Sequence, residues 1–302
     1  MSPPSVEALS APPVSAPADA PRFRVHAWTR LSRAFSALVL GLALVLLYSG
    51  AGIILQFTFT GAMNPHPPVL AGLLVLAALL GVGLERLWRR FTRATVAVEA
   101  ERLVLERRAE RLEIPLASVA RIRGWRLPWP SAGLSLRMRS GRSLGTGLRV
   151  EDPLPVLTAL GPALQSAREE ARHPLTAFVH ARVTVLRQRG LWLAFKFVLF
   201  PLLPGGIMFR ANQYITFGGP FAQYRMYGLA PYLMSLFTYW VYFAAVLLLY
   251  AALWRLPAET MALAATWALP SRARGIRLVV EVACGVLYYA GSLSILASQF
   301  LS

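Results

Sequence analysis

The chain has 302 residues and a formal net charge of +17, from 31 basic and 14 acidic side chains. Charged residues nevertheless make up only 15% of the chain and hydrophobic residues 56%, and the mean hydropathy is +0.51. A soluble nucleic-acid-binding protein carries its basic charge on a more polar surface, and a disordered basic protein lacks the apolar residues. The composition therefore predicts an integral membrane protein, mainly α-helical, with no nucleic acid as a partner.

Two apolar helices are predicted near the N-terminus. Residues 1–21 are rich in Ala, Pro and Ser and are predicted to form a disordered tail. The stretch 34–84 contains no charged residue, and the proline-rich segment 64–68 divides it. Because a spanning helix needs about 20 apolar residues, we expect residues 22–90 to form a transmembrane hairpin. Its expected helices cover 35–58 and 69–87.

Residues 190–302 are predicted to form a three-helix membrane unit. The expected helices cover 191–209, 230–254 and 278–300. The segment 201–206, which contains Pro201, Pro204 and two glycines, is expected to kink or break the first of them. The apolar stretch 257–270 is too short to cross a bilayer. We expect an interfacial helix there, with a re-entrant segment as the alternative.

The distribution of basic residues predicts the orientation, because Lys and Arg favour cytoplasmic loops. If the N-terminus is inside, 28 of the 31 basic residues lie on the inner side. Four precede the first helix, 20 lie from Arg86 to Arg189, and four lie from Arg255 to Arg277. Five spans then place the C-terminus outside, in the periplasm or the extracellular space. The expected location is the inner membrane of a bacterium, as a multi-pass protein.

Residues 91–170 depart from the membrane pattern and are predicted to form a small α+β domain in the cytoplasm. Short alternating segments, such as 102–107 and 134–139, predict antiparallel strands. Asp152 and Pro153 then begin a helix, as its N-cap and its first-turn proline.

This order of strands and a closing helix resembles the bacterial pleckstrin-homology-like (PH-like) domains. The resemblance covers residues 94–168 and includes the Ile-Pro-Leu pattern at 114–116 that precedes Val119. It implies a half-open barrel that is capped by a C-terminal helix and used for binding and assembly. The first hairpin, 98–102, is acidic where phosphoinositide-binding members are basic. An inositol-phosphate pocket is therefore not expected.

Residues 171–189 predict an amphipathic helix that connects the domain to the third membrane helix. Basic side chains flank the membrane at both ends of the inserted region. Those expected at headgroup height are Arg86, Arg89, Arg90, Arg93, Arg182, Arg187 and Arg189. These arginines either form a solvated face that determines the orientation of the protein in the membrane, or they contact anionic lipid headgroups. Such a contact contributes about 1 kcal/mol of binding free energy per residue.

Two charges, Lys196 and Glu281, fall inside the predicted third and fifth helices at similar depth. A charge at the bilayer centre costs about 2.5–3.5 kcal/mol. An ion pair between these two residues would offset that cost. The alternatives are a pair between Glu281 and Arg277, four residues earlier, snorkelling of the side chains, and a polar functional site.

No catalytic or cofactor-binding pattern stands out. The four histidines are scattered, and Cys284, the only cysteine, excludes an intrachain disulfide. We expect no cofactor and a non-enzymatic role as a scaffold or assembly protein, which presents the basic PH-like domain to a protein partner or to anionic lipids. A transporter subunit that uses Lys196, Glu281 and the broken third helix is the alternative, and a membrane-embedded enzyme is the third possibility.

Overall fold

The structure is a computed structural model that describes residues 20–60, 68–107, 110–129, 131–185 and 190–301. The predicted tail up to residue 19, the turn residues 64–67, and Arg187 and Arg189 lie outside the described residues.

Five of the described helices are long and apolar enough to cross a membrane, as predicted. The apolar segments are Arg30–Ile53, Leu70–Phe91, Leu191–Phe217, Leu229–Ala268 and Pro270–Ser294. The helices that contain them are α1 (Arg30–Thr60), α2 (Pro68–Phe91), α6 (Gly190–Ala194) with α7 (Leu202–Phe217), α9 (Leu229–Ala268) and α10 (Ala273–Leu301). The shorter helices are α3 (Pro153–Leu160), α4 (Gln165–Ala171), α5 (Pro174–Val185) and α8 (Ala222–Tyr227).

The strands form one curled, antiparallel sheet in the order β4-β3-β2-β1-β7-β6-β5. They are β1 (Arg22–Trp28), β2 (Arg93–Val98), β3 (Arg102–Arg107), β4 (Glu110–Pro115), β5 (Val119–Gly124), β6 (Gly133–Met138) and β7 (Gly147–Arg149). β1 pairs with β2 on one side and with β7 on the other. The hairpin α1–α2 is therefore inserted between two neighbouring strands of the sheet. The assignment of residues 22–28 to the membrane hairpin is wrong.

The concave side of the sheet encloses one apolar core. Every strand contributes to it, through buried side chains such as Val25 on β1, Leu103 on β3 and Leu134 on β6. α3 closes this core with Leu157 and Leu160, which are 0% and 1% exposed. Burial of such side chains is the main force that holds the sheet in its curled form.

The predicted closing helix and connector are divided into three short helices, α3, α4 and α5. Asp152 caps α3, because its Oδ1 accepts the backbone N–H of Leu154 at 3.1 Å. The other carboxylate oxygen, Oδ2, lies 2.8 Å from Nδ1 of His180 on α5. Phe178 and Val179 of α5 then pack against Ala262 of α9. The helix that follows the domain is thus fixed to the C-terminal helices.

The break in the third span lies earlier than expected. Phe195–Leu199 forms a π-helical turn in which the N–H of Phe200 donates to the carbonyl of Phe195 at 2.8 Å. The turn directly precedes Pro201, which has no N–H to continue the α-helical pattern. Pro204 and Gly205 lie inside α7. A Cβ at Gly205 would come within 3.2 Å of the Trp240 backbone, so glycine permits a close crossing of α7 and α9.

The interfacial helix expected over 257–270 is also wrong, because α9 continues without interruption from Leu229 to Ala268. Its 40 residues correspond to about 60 Å, twice the roughly 30 Å of a hydrocarbon core. Pro257 lies inside this helix and leaves the carbonyl of Leu253 without its usual donor. The Tyr48 hydroxyl of α1 donates to that carbonyl at 3.1 Å. A side chain of the hairpin thus stabilises the helix where proline would weaken it.

Replacing Tyr48 by phenylalanine is expected to lower the free energy of unfolding by about 1–2 kcal/mol, because a carbonyl loses its donor. In a Pro257→Ala background, the restored N–H of residue 257 replaces the hydroxyl, so the same change should cost less than half as much. Thermal unfolding of the four purified proteins in detergent measures this coupling. An equal cost of Tyr48→Phe in both backgrounds would contradict the assigned role.

Candidate functional site

Each of the two connections between the sheet and the hairpin is a single residue. Thr29 alone separates β1 from α1, and Thr92 alone separates α2 from β2. The Thr29 hydroxyl accepts the backbone N–H of Ser32 at 3.2 Å, which caps the first turn of α1. Neither connection contains a glycine or a flexible loop. The direction of the strands therefore determines the direction of both helices.

Trp28 seals this junction from the side of the sheet. Its side chain is 1% exposed, and its indole N–H donates to the Thr92 hydroxyl at 3.2 Å. The Thr92 hydroxyl in turn lies 3.2 Å from the carbonyl of Arg89 on α2. These contacts join the end of β1 to the end of α2 across 64 positions of the sequence.

A buried ion pair lies behind Trp28. Glu85 of α2 is 0% exposed, and its Oε1 lies 3.1 Å from Nη1 of Arg149 on β7 and 2.5 Å from Nε of Arg89. The Arg149 guanidinium also stacks 4.2 Å from the centre of the Trp28 ring. Burial, together with repulsion from Arg89, lowers the pKa of Arg149 to about 10. Arg149 remains charged at neutral pH, so its pairing with Glu85 links α2 to the sheet.

The loop between β5 and β6 covers the same junction from outside. Trp125 stacks with Trp28 at a ring separation of 6.2 Å, and the Arg33 guanidinium of α1 lies 4.2 Å from the Trp125 ring. A Cβ at Gly133 would come within 2.7 Å of the Trp125 ring, so only glycine permits this packing. Further along the loop, the Trp129 ring comes close to Gly41 of α1. The loop therefore follows α1 toward its apolar part.

A second group of charges joins α5, α9 and α10. The Arg277 guanidinium, whose side chain is 2% exposed, binds both carboxylate oxygens of Glu259 at 2.7 and 2.9 Å. It also lies 2.6 Å from Glu281, and Arg255 lies 2.8 Å from Glu259 and 3.0 Å from Glu281. Arg182 of α5 completes the group at 4.0 Å from Glu259. Three arginines thus share two carboxylates where α9 and α10 meet the connector.

These contacts settle where the predicted intramembrane charges lie. Glu281 pairs with Arg277 and Arg255, and the ion pairs of the described residues include none between Lys196 and Glu281. The Lys196 ammonium instead lies 4.0 Å from the centre of the Tyr288 ring. Lys196 and Glu281 therefore do not pair with each other: Glu281 pairs with two arginines, and Lys196 contacts the Tyr288 ring.

The arginines expected at headgroup height do not share one environment. Arg86, Arg90 and Arg93 are exposed around the end of α2, whereas Arg89 is half-buried against Glu85. Arg182 lies 4.0 Å from Glu259 on α9, and 44% of its side chain is exposed. Among the described members of the set, Arg86, Arg90, Arg93 and Arg182 are therefore exposed, and Arg89 is not.

The sequence patterns did not indicate Glu85, Arg149 and Glu259 as site residues. The spacing of four residues between Glu85 and Arg89, and between Arg255 and Glu259, is the local signal that was present. Arg149 carries no such signal, because its partner is 64 residues away.

An open groove of about 1120 Å³ lies on the sheet. It extends over β1 to β4 and the N-terminal turn of α3. Its charged side chains are of both signs and include Arg24, Arg93, Arg107, Glu106, Glu151 and Asp152. A surface of mixed charge suits a protein partner better than an isolated phosphate.

Comparisons with protein families, with curated proteins and with solved structures find no match to this chain. The geometry of the junction, the charge group and the groove is therefore the basis for assigning a function.

Removing one partner of the buried Glu85–Arg149 pair is expected to destabilise the protein strongly. Glu85→Gln leaves the Arg149 guanidinium buried without its counter-charge and should lower the free energy of unfolding by about 3–5 kcal/mol. The double variant Glu85→Gln/Arg149→Met should cost less than the sum of the two single changes. Unfolding in detergent, followed by tryptophan fluorescence, measures each difference.

Glu101→Gln provides a matched control, because Glu101 is exposed and such surface changes stay within about 0.5 kcal/mol. Additive effects of the two junction changes, or an effect of Glu85→Gln no larger than that of the control, would contradict the assignment.

Proposed function

We propose that this protein is a multi-pass membrane protein that holds a PH-like domain rigidly at the cytoplasmic face of a bacterial inner membrane, as a platform for assembly with a protein partner. The observation that carries the proposal is the insertion of the hairpin between β1 and β2, with a single residue on each side. A tethered domain would be joined by a linker. Here the sheet and the membrane helices are continuous.

Placement in a bilayer is supported by the surface of the five helices. Only 11–22% of their apolar windows is buried inside the protein. A protein in water rarely exposes so much contiguous apolar surface, whereas lipid covers it without cost. The bias of basic residues supports a cytoplasmic N-terminus and an outer C-terminus.

The PH-like identity is supported by the topology. Seven antiparallel strands curl around one core. After β7, the helices α3 and α4 both contribute side chains to this core and close it. In the acidic first hairpin, Arg102 pairs with Glu99 and with Glu113 of β4, so its positive charge is balanced within the domain. This favours a protein partner over an inositol phosphate at that hairpin.

Transport by the third helix receives less support. The carbonyls of Lys196 and Val198 in the π-turn accept hydrogen bonds from Tyr288 and Trp240, each at 2.8 Å. A broken helix that coordinates a moving ion needs such carbonyls unoccupied. The break therefore serves helix packing in this arrangement.

Affinity purification from solubilised membranes tests the platform role. The expected result is a partner retained in stoichiometric amount with the full-length protein. Arg107→Glu reverses an exposed charge in the groove and should weaken retention about tenfold. Arg123→Glu, an exposed charge on β5 outside the groove, should leave retention unchanged.

Purification of the protein without a partner, combined with solute movement when it is reconstituted in liposomes, would contradict the proposal and favour the transporter. Equal loss of the partner in both charge-reversal variants would contradict the groove as the binding surface.

A further inference from the structure

A cleft of about 350 Å³ opens between the π-turn, α9 and α10. Its walls are apolar, with Leu193, Phe197, Leu248 and Trp254 among them. Lys196 and Arg255 line the same cleft, and none of the described lining residues is acidic. The cleft therefore combines two positive charges with an apolar wall.

Lys196 is held in this cleft by the backbone around it. The π-turn turns its carbonyl toward α10, where the Tyr288 hydroxyl donates to it at 2.8 Å. Tyr288 is 2% exposed, and its ring lies 4.0 Å from the Lys196 ammonium. The position of the ammonium is thus set by packing and does not depend on a carboxylate.

The two cations differ in how their charge is balanced. Arg255 contacts the carboxylates of Glu259 and Glu281. Within the described part of the chain, the contacts of the Lys196 ammonium are with the rings of Tyr288 and Phe197, and it forms no ion pair. A cation–π contact offsets only part of the cost of a charge in apolar surroundings. A negatively charged ligand would offset the remaining cost of placing this charge in apolar surroundings.

The surroundings of the cleft indicate which anion it is. Leu193 and Phe195 are 37% and 44% exposed on the same part of the helix, where lipid would contact them. A volume of 350 Å³ lies at the lower end of the roughly 300–1,000 Å³ of ligand pockets, and it suits a phosphate headgroup with the first part of its chains. A free inorganic anion would leave the apolar walls without a contact.

We infer that this cleft binds an anionic phospholipid, with its phosphate at the Lys196 ammonium beside Arg255 and its chains along the apolar wall. The site is distinct from the groove on the sheet, and it rests on the proposed placement of these helices in a bilayer. Bound lipid would connect the π-turn to α9 and α10 on the membrane side of the charge group.

Cys284 provides the test, because it is the only cysteine of the chain and lines the cleft. The purified full-length protein in neutral detergent is labelled with a small maleimide while phosphatidylglycerol is added. The lipid should slow labelling saturably, by at least about threefold. Phosphatidylcholine and inorganic phosphate at the same concentrations should not slow it.

Lys196→Met should raise the phosphatidylglycerol concentration that gives half protection about fivefold, the effect of one basic residue near an anionic headgroup. Arg210→Met is the matched control, since Arg210 contacts Tyr214 and Phe221 away from the cleft. It should not change protection. Native mass spectrometry of both variants provides an independent count of retained lipid.

Equal protection by phosphatidylcholine, protection by phosphate alone, or an unchanged half-protecting concentration and lipid count in Lys196→Met would overturn the inference. These results differ from failure of the proposed function. A protein that resists extraction from membranes by alkaline carbonate and binds its partner, yet shows no Lys196-dependent lipid effect, contradicts this site alone.

Discussion

The pairing of β1 with both β2 and β7 is the constraint on which the rest of the structure depends. β1 is the central strand of the sheet, yet the whole α1–α2 hairpin separates it from β2 along the chain. The sheet can close only if α1 begins where α2 ends. Formation of the sheet and its apolar core therefore brings these two helix ends together.

Two groups of charged side chains determine how the helices attach to the sheet and to one another. Glu85 and Arg149 join α2 to the sheet, while Glu259 joins α9 to α10 through Arg277 and to α5 through Arg182. Buried ion pairs contribute little net stability compared with apolar contacts, but losing one partner is costly. Their effect here is to disfavour other arrangements of the helices, which would leave a charge unpaired in an apolar environment.

The sequence was sufficient to predict those features of the fold that depend on the composition of a long stretch of residues. The absence of charge in 34–84 predicted the hairpin, and short alternation predicted the strands after it. β1 was not predictable in this way, because Arg22, Arg24 and His26 resemble a basic flank and both pairing partners are distant. Its assignment needed the three-dimensional sheet.

The course of α9 and the partners of Glu281 show the same limit. Pro257 locally predicts the end of a helix, yet α9 continues, and the hydroxyl of Tyr48 from a distant helix lies 3.1 Å from the Leu253 carbonyl that Pro257 leaves without a donor. Glu281 was expected to pair with Lys196 only because the two residues lie at similar depth in their predicted helices. Depth does not specify which faces of the helices meet, and the structure brings Arg255 to that carboxylate instead.

Disulfide trapping in native membranes tests most directly whether β1 joins the sheet across the hairpin. Arg24 lies directly opposite Thr95, and Arg123 lies directly opposite Ser135 within the domain. Cysteines at such paired positions are close enough to form a disulfide. In a Cys284→Ser background, we expect the variants R24C/T95C and R123C/S135C both to form disulfides under mild oxidation. A disulfide in the second variant and none in the first would show that β1 is not part of the sheet.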